Sequence, residues 1–170
     1  MDTAGEPVKH RAVNSHKVSE FIYGVITAMV VIASLVQERE EAWWDAFLII
    51  VAGAAAIWIA HSYAEVVGSR ITIKRRLTWH DIGEALSESW PIVTSGFIVA
   101  APLLLAGVGI ITVSVSLTLS NMIGIAILAI AGYLAGLLSN ESFWYRMLLA
   151  AESAAIGAAV VAVEYIVHHI

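Results

Sequence analysis

FIVAAPLLLAGVGIITVSVSLTLSNMIGIAILAIAGYLAGLL, residues 97–138, contains no charged side chain. A helix needs roughly 20 apolar residues to cross the hydrocarbon core of a bilayer, so this stretch is too long for one crossing. Serine and threonine alternate with apolar residues over 112–121, and we place the break between two spans there. The stretch therefore predicts a membrane protein with two adjacent transmembrane helices in this region.

The composition of the whole chain agrees with a membrane protein. Of its 170 residues, 59% are hydrophobic, and the mean hydropathy is +0.82. A soluble domain is typically about 45–50% apolar even when glycine is counted. The absence of cysteine excludes disulfides and thiolate metal sites. No basic face interleaved with aromatic residues is present, which argues against nucleic acid as a partner.

Five segments are apolar over a spanning length, and they predict an all-α integral membrane protein. The predicted spans are 18–36, 46–67, 90–111, 122–138 and 145–168. They form one domain over 18–170, which follows a polar N-terminus at 1–17. Pro102 lies inside the third span and predicts a kink.

Small residues recur every four positions on three of these spans, which predicts close packing between helix backbones. The three stripes are Ala52, Ala56 and Ala60; Gly132 and Gly136; and Ala154, Ala158 and Ala162.

The basic residues predict the orientation of the chain in the bilayer. Arg39 alone lies on one side of the predicted spans, and every other lysine and arginine lies on the opposite side. Because cytoplasmic loops are enriched in basic residues, we expect the N-terminus in the cytoplasm and the C-terminus across the membrane. Residues 78–89 predict a short amphipathic helix on the cytoplasmic membrane surface. Thr78 and Asp81 have the spacing of a capping box at its start.

Ionisable residues inside a span are costly in lipid, and each is therefore a candidate functional residue. Four of them are expected in the cytoplasmic half of the bilayer: Glu20, His61, Glu65 and Glu152. Carboxylates and imidazole suit a divalent cation such as Fe²⁺ or Mn²⁺, and both groups also carry protons. Simpler interpretations remain open, namely a headgroup position for Glu20, helix packing for His61 and snorkelling to the surface for Glu65.

A second set of ionisable residues lies on the predicted surface helix, where it has the composition for cation capture on the cytoplasmic side. The set is His80, Asp81, Glu84 and Glu88. A solvated polar face is the interpretation that we favour for these residues, since such faces are common on interfacial helices.

Three stretches resemble the vacuolar iron transporter (VIT) family, whose five-helix members exchange ferrous or manganous ions for protons. They are EFIYG at 20–24, AGAAAIWIAHSYAEVVGSR at 52–70 and LAGLLSNESFWYRMLLAAESAAIGAAVVAVEYIV at 134–167. The resemblance implies a VIT-like bundle that forms a homodimer. It also implies that Glu20 and Glu65, which match the family's pattern, lie on the ion path.

The chain departs from this family at several positions. Thr27 stands where the family has an aspartate in the first helix, and His61 stands where it has a methionine. The long cytoplasmic metal-binding insert is absent, and Glu152 has no counterpart that we can match. We hypothesise that His61 and Glu152 replace the missing ligands, with Thr27 supplying an oxygen deeper in the path.

The function predicted from these residues is proton-coupled antiport of Fe²⁺ or Mn²⁺ across a membrane. The metal ion is the transported substrate, and no tightly bound cofactor is expected. Two alternatives remain, namely a non-transporting scaffold or partner-binding protein of the same fold, and a cation or proton channel. An enzyme is disfavoured, because the spans lack a nucleophile paired with a base and lack a metal-binding histidine pair.

Overall fold

The computed structural model describes residues 6–36, 42–73 and 78–167, and within these residues every regular element is an α-helix. The helices are α1 Glu6–Leu35, α2 Trp43–Ile73, α3 Trp79–Glu88, α4 Trp90–Ala100, α5 Pro102–Gly107, α6 Val113–Leu138 and α7 Phe143–Val167. The prediction of an all-α fold is therefore confirmed for the described chain.

Within residues 6–36, 42–73 and 78–167, five helical segments are long and apolar enough to cross a membrane, which indicates a multi-pass membrane protein. They are His16–Leu35, Trp43–Arg70, Trp79–Gly107, Val113–Leu138 and Phe143–Val163. The number of spans agrees with the sequence prediction. The expected end of the last span at 168 lies outside the described residues. The orientation of the termini rests on the basic residues and stays a prediction.

The first helix is longer than its predicted span. α1 begins at Glu6, so much of the segment expected as a polar N-terminus at 1–17 continues the membrane helix. This continuity puts His16 one helical turn before Glu20, on the same face of α1.

The third candidate span, Trp79–Gly107, contains three short helices; it begins before the predicted start at 90, because it includes α3, the helix predicted at 78–89 on the membrane surface. The helical pattern is interrupted at Ser89, between α3 and α4, and again at Ala101, directly before Pro102. The second interruption lies where the sequence predicts a kink, since proline cannot donate a backbone hydrogen bond to the preceding turn. The predicted helix at 78–89 is α3, and its capping box between Thr78 and Asp81 is present.

α3 is attached to the bundle through α2. The indole Nε1–H of Trp58 donates a hydrogen bond to the carbonyl oxygen of Leu86 at 2.9 Å. The rings of Trp58 and Trp90 also meet edge to face. Ala85 is the buried residue of α3. Contact with the cytoplasmic membrane surface stays a prediction for this helix.

The predicted break over 112–121 is wrong. α6 begins at Val113, because the Thr112 side chain accepts a hydrogen bond from the Val115 backbone N–H and caps the helix there. The hydroxyl groups that suggested a loop donate within the helix, from Ser116 to the Val113 carbonyl and from Thr118 to that of Ser114. The turn lies earlier, where Gly109 has a φ of 77°.

The core lies around α1, which packs against α2, α4, α6 and α7. Fully buried apolar side chains from α1, α2 and α4 meet there, among them Met29, Ile50 and Val99. Gly24 allows a close approach of α1 to α4, because a Cβ at this position would lie 2.7 Å from the Ile92 carbonyl oxygen.

The small-residue stripes divide into two classes. Gly132 and Gly136 lie against Leu149 of α7, as their spacing predicted. The alanine stripe of α2 is exposed on the outside of the described bundle, as are Ala158 and Ala162 of α7. Close helix packing is thus confirmed for the glycine pair alone.

Candidate metal centre

Glu20 is the buried acidic residue of the bundle interior. Its side chain is 7% exposed. Glu20 lies in the middle of α1, which begins at Glu6. Gly24, one turn further along α1, admits Ser95 and Ile92 of α4 against the helix backbone. α4 therefore lies close to α1 one turn from Glu20, and the buried carboxylate of Glu20 needs partners.

α2 supplies the first of these partners. His61 Nε2 lies 2.9 Å from Glu20 Oε1. His61 and Glu65 are four residues apart and therefore project from one face of α2 toward α1. The ring of Tyr23, on α1, packs against that of His61 with centroids 5.7 Å apart. The expectation that Glu20, His61 and Glu65 lie together agrees with these positions.

His16 connects the two carboxylates. Its Nε2 lies 3.0 Å from Glu65 Oε1, and its Nδ1 lies 3.8 Å from Glu20 Oε1. One ligand atom each from His16, Glu20 and Glu65 can be chosen so that all lie within 4.8 Å of one another. The sequence interpretation missed His16, because it assigned residues 1–17 to a polar segment outside the membrane. The four-residue spacing to Glu20 was the signal that pointed to it.

Ser89 was also missed, and it orients Glu65 from a third element. Its hydroxyl donates a hydrogen bond to Glu65 Oε2 at 3.0 Å, and the residue is fully buried at the break between α3 and α4. Side chains that hold a ligand in position in this way affect metal affinity strongly. The four residues His16, Glu20, His61 and Glu65 are called the α1–α2 cluster below.

One oxygen of the cluster has no protein partner. Glu20 Oε2 is buried, and it has no hydrogen bond among the described residues, while Oε1 of the same carboxylate lies between two imidazoles. Buried polar atoms are nearly always satisfied by protein, water or an ion. The carboxylate therefore offers a free acceptor inside a group of side chains whose geometry could hold a metal ion.

Thr27 lies on the Glu20 face of α1, two turns further along and about 10 Å away by helical rise. Its hydroxyl donates to the backbone carbonyl oxygens of Tyr23 and Gly24, both at 3.0 Å. The oxygen of Thr27 keeps its lone pairs, so it remains able to accept a hydrogen bond or to contact a cation.

Glu152 is not part of the cluster, although the sequence interpretation grouped it there. Its side chain is exposed on α7. Ser153 and Gly157, one turn apart, lie against α6 at Gly132 and Leu128. Because adjacent residues on a helix point about 100° apart, Glu152 projects away from that contact.

The acidic residues of α3 have separate roles. Asp81 Oδ2 accepts hydrogen bonds from the Thr78 backbone N–H at 2.7 Å and from the Thr78 hydroxyl at 2.8 Å. His80 Nδ1 lies 3.9 Å from Glu84 Oε2, and both side chains are strongly exposed, while Glu88 is half-buried. Asp81 therefore stabilises the start of α3, and His80 and Glu84 form an exposed polar pair.

Two more buried polar atoms without a hydrogen-bond partner in the described chain lie on α6. They are Ser120 Oγ and Asn121 Oδ1. One turn beyond Asn121, Gly124 packs against Met29 of α1. Met29 is nine residues beyond Glu20 and therefore on the opposite face of α1. These α6 atoms do not extend the α1–α2 cluster.

Comparison with known proteins finds no matching family model, curated protein or solved structure.

Proposed function

We propose that this protein is a membrane transporter that exchanges divalent metal ions for protons, and that the α1–α2 cluster binds the ion. The observation that carries the proposal is the buried Glu20 carboxylate, one oxygen of which has no partner among the described residues. Burying a charged carboxylate without full compensation is costly, and a bound cation provides that compensation.

The donor atoms of the cluster suit both partners of such an exchange. Carboxylate oxygens and imidazole nitrogens bind first-row divalent ions, and they bind only when they are deprotonated. A proton and a metal ion therefore compete for the same atoms of Glu20, Glu65 and the two histidines. This competition is the physical basis for coupling the movement of one to that of the other.

The resemblance to the VIT family belongs to this proposal, together with a VIT-like bundle and a homodimer. Glu20 and Glu65 are the residues that match the family's pattern, and they lie on either side of His16. Thr27, at the family's aspartate position, continues the face of α1 on which Glu20 lies. We propose that the hydroxyl oxygen of Thr27 follows Glu20 on the ion path, and that Glu152 is not part of this path.

Transport in proteoliposomes tests the proposal directly. We expect Mn²⁺ uptake into vesicles to be accompanied by proton movement in the opposite direction, reported by a pH-sensitive dye inside the vesicles. Glu65→Gln removes one charged ligand and keeps the shape of the side chain, and it should abolish the uptake. Glu141→Gln is the matched control, because Glu141 is exposed between α6 and α7.

The outcomes separate the alternatives. If Mn²⁺ uptake is unchanged in Glu65→Gln, the α1–α2 cluster is not the site that binds the transported ion. Mn²⁺ flux without proton movement identifies a channel. A protein that shows no flux, and no thermal stabilisation by Mn²⁺ or Fe²⁺, is a scaffold or a partner-binding protein.

A further inference from the structure

The two imidazoles of the α1–α2 cluster approach one carboxylate oxygen from different helices. Glu20 Oε1 lies 2.9 Å from His61 Nε2 and 3.8 Å from His16 Nδ1. The other nitrogen of His16 lies 3.0 Å from Glu65 Oε1. No other described side chain contacts both carboxylates with two separate atoms. His16 is therefore the residue that links Glu20 to Glu65.

Nitrogen donors change which cations such a site prefers. Two carboxylates alone suit hard ions such as Mg²⁺ and Ca²⁺, which take oxygen ligands almost exclusively. Imidazole favours Zn²⁺, Fe²⁺, Ni²⁺ and Cu²⁺ instead. Carboxylates alone therefore give a site no preference for a transition metal ion over Mg²⁺, and imidazole supplies one.

The exposed fractions of the side chains rank the four residues by their access to solvent. His16 is 44% exposed, His61 32%, Glu65 26% and Glu20 7%. His16 is therefore the most exposed of the four side chains, and Glu20 is the least exposed. The nitrogen donor of His16 lies on the more exposed side of the cluster, and the Glu20 carboxylate lies on the more buried side.

We propose that His16, assisted by His61, determines the selectivity of the cluster, so that it binds transition metal ions that accept imidazole ligands more tightly than it binds Mg²⁺ or Ca²⁺. This inference rests on the proposed function, since it names the substrate class of the same site. It assigns His16 a role that the family resemblance does not indicate.

Competitive metal binding to the purified full-length protein in detergent micelles tests the inference. Co²⁺ is the probe, because its visible absorption changes when nitrogen donors bind it, and Zn²⁺ and Mg²⁺ are the competitors. We expect Zn²⁺ to displace Co²⁺ and Mg²⁺ to fail. His16→Gln removes the imidazole and should weaken Zn²⁺ binding by about 10–100-fold, with little change for Mg²⁺. The ratio of the two affinities therefore falls.

Two further variants make the result specific. Ser19→Gln introduces the same side chain at an exposed position of α1 and should bind both ions as the wild type does. His61→Gln should also lower the ratio, and it provides a second test if His16→Gln fails to fold. An unchanged ratio in both histidine variants overturns the selectivity role and leaves the proposed function standing. A wild-type protein that binds no divalent ion overturns both.

Discussion

Glu20 and Glu152 are both glutamates within apolar helices, yet one is buried in the bundle and the other is exposed. Glu20 is buried on α1, with His61 at 2.9 Å and one carboxylate oxygen without a partner in the described structure. Glu152 is exposed on α7, the least buried of the five spans. A charged residue in a span therefore indicates a site only when packing encloses it with complementary side chains.

The positions of the two helices explain the difference. α1 is contacted by α2, α4, α6 and α7, so most faces of it lie against protein. α7 packs mainly on α6 and α1, and one side of it remains uncovered. The same residue type on these two helices experiences two different environments.

The largest effect is expected at Glu20. Glu20→Gln removes the buried negative charge that faces both imidazoles, and we expect Mn²⁺ affinity to fall by about 100-fold or more, since even residues that only orient a ligand cost 10–100-fold. Isothermal titration calorimetry in detergent measures this loss. An affinity within about threefold of the wild type would remove Glu20 from the site, provided that the thermal unfolding curve shows a folded variant.

Two glycine substitutions separate fold stability from metal binding. Gly24→Ala and Gly132→Ala each put a Cβ against the backbone of a neighbouring helix, and overpacking of this kind typically costs about 1–3 kcal/mol. Both should lower the unfolding temperature in detergent. Only Gly24→Ala should also weaken Mn²⁺ binding, because it separates α1 from α4 beside Glu20.

Gly83→Ala is the matched control for both glycines. A Cβ at Gly83 meets nothing within 4 Å, and the residue lies inside α3. We expect this variant to be stabilised by roughly 0.4–1 kcal/mol, because alanine restricts the unfolded chain. Weaker Mn²⁺ binding in Gly132→Ala would contradict the assignment of the site to the α1–α2 side of the bundle.

A smaller effect is expected at Ser89, which touches the cluster through Glu65 alone. Ser89→Ala removes the hydrogen bond to Glu65 Oε2 and should weaken Mn²⁺ binding by about tenfold, the lower end of the range for residues that orient a ligand. A double-mutant cycle with Glu65→Gln provides the check. If Ser89 acts through Glu65, its substitution has no further effect in the Glu65→Gln background.

The smallest effect is expected at Glu152. Glu152→Gln changes an exposed side chain outside the cluster, so Mn²⁺ affinity should stay within about twofold of the wild type, as for independent sites. The same titration used for Glu20→Gln measures it. A large loss would return Glu152 to the ion path and end the contrast between the two glutamates.

Part of the candidate site was predictable from residue spacing. His61 and Glu65 lie four residues apart, and both were expected near Glu20 because all three belong to the same end of their spans. His16 was predictable in principle by the same spacing from Glu20. It was missed because the first span was predicted to begin at 18, after a polar segment. The polarity of a segment does not show where a helix begins.

The contact of Ser89 with Glu65 and the exposure of Glu152 could not be predicted from residue spacing. Ser89 reaches Glu65 only because the chain bends between α3 and α4. Glu152 points away from α6 because Ser153 and Gly157 face it. The first outcome depends on the bend between α3 and α4, and the second on how α7 is rotated about its axis; contacts between distant residues decide both.

By itself, the sequence determined that the chain is helical, that five segments can span a membrane, and which helices carry ionisable groups. These properties are local, because they depend on the length, hydropathy and spacing of neighbouring residues. Only the tertiary structure decided which ionisable groups meet. Close approach at small residues such as Gly24 sets helix rotation, and rotation turns one glutamate toward imidazoles and leaves the other outside the bundle.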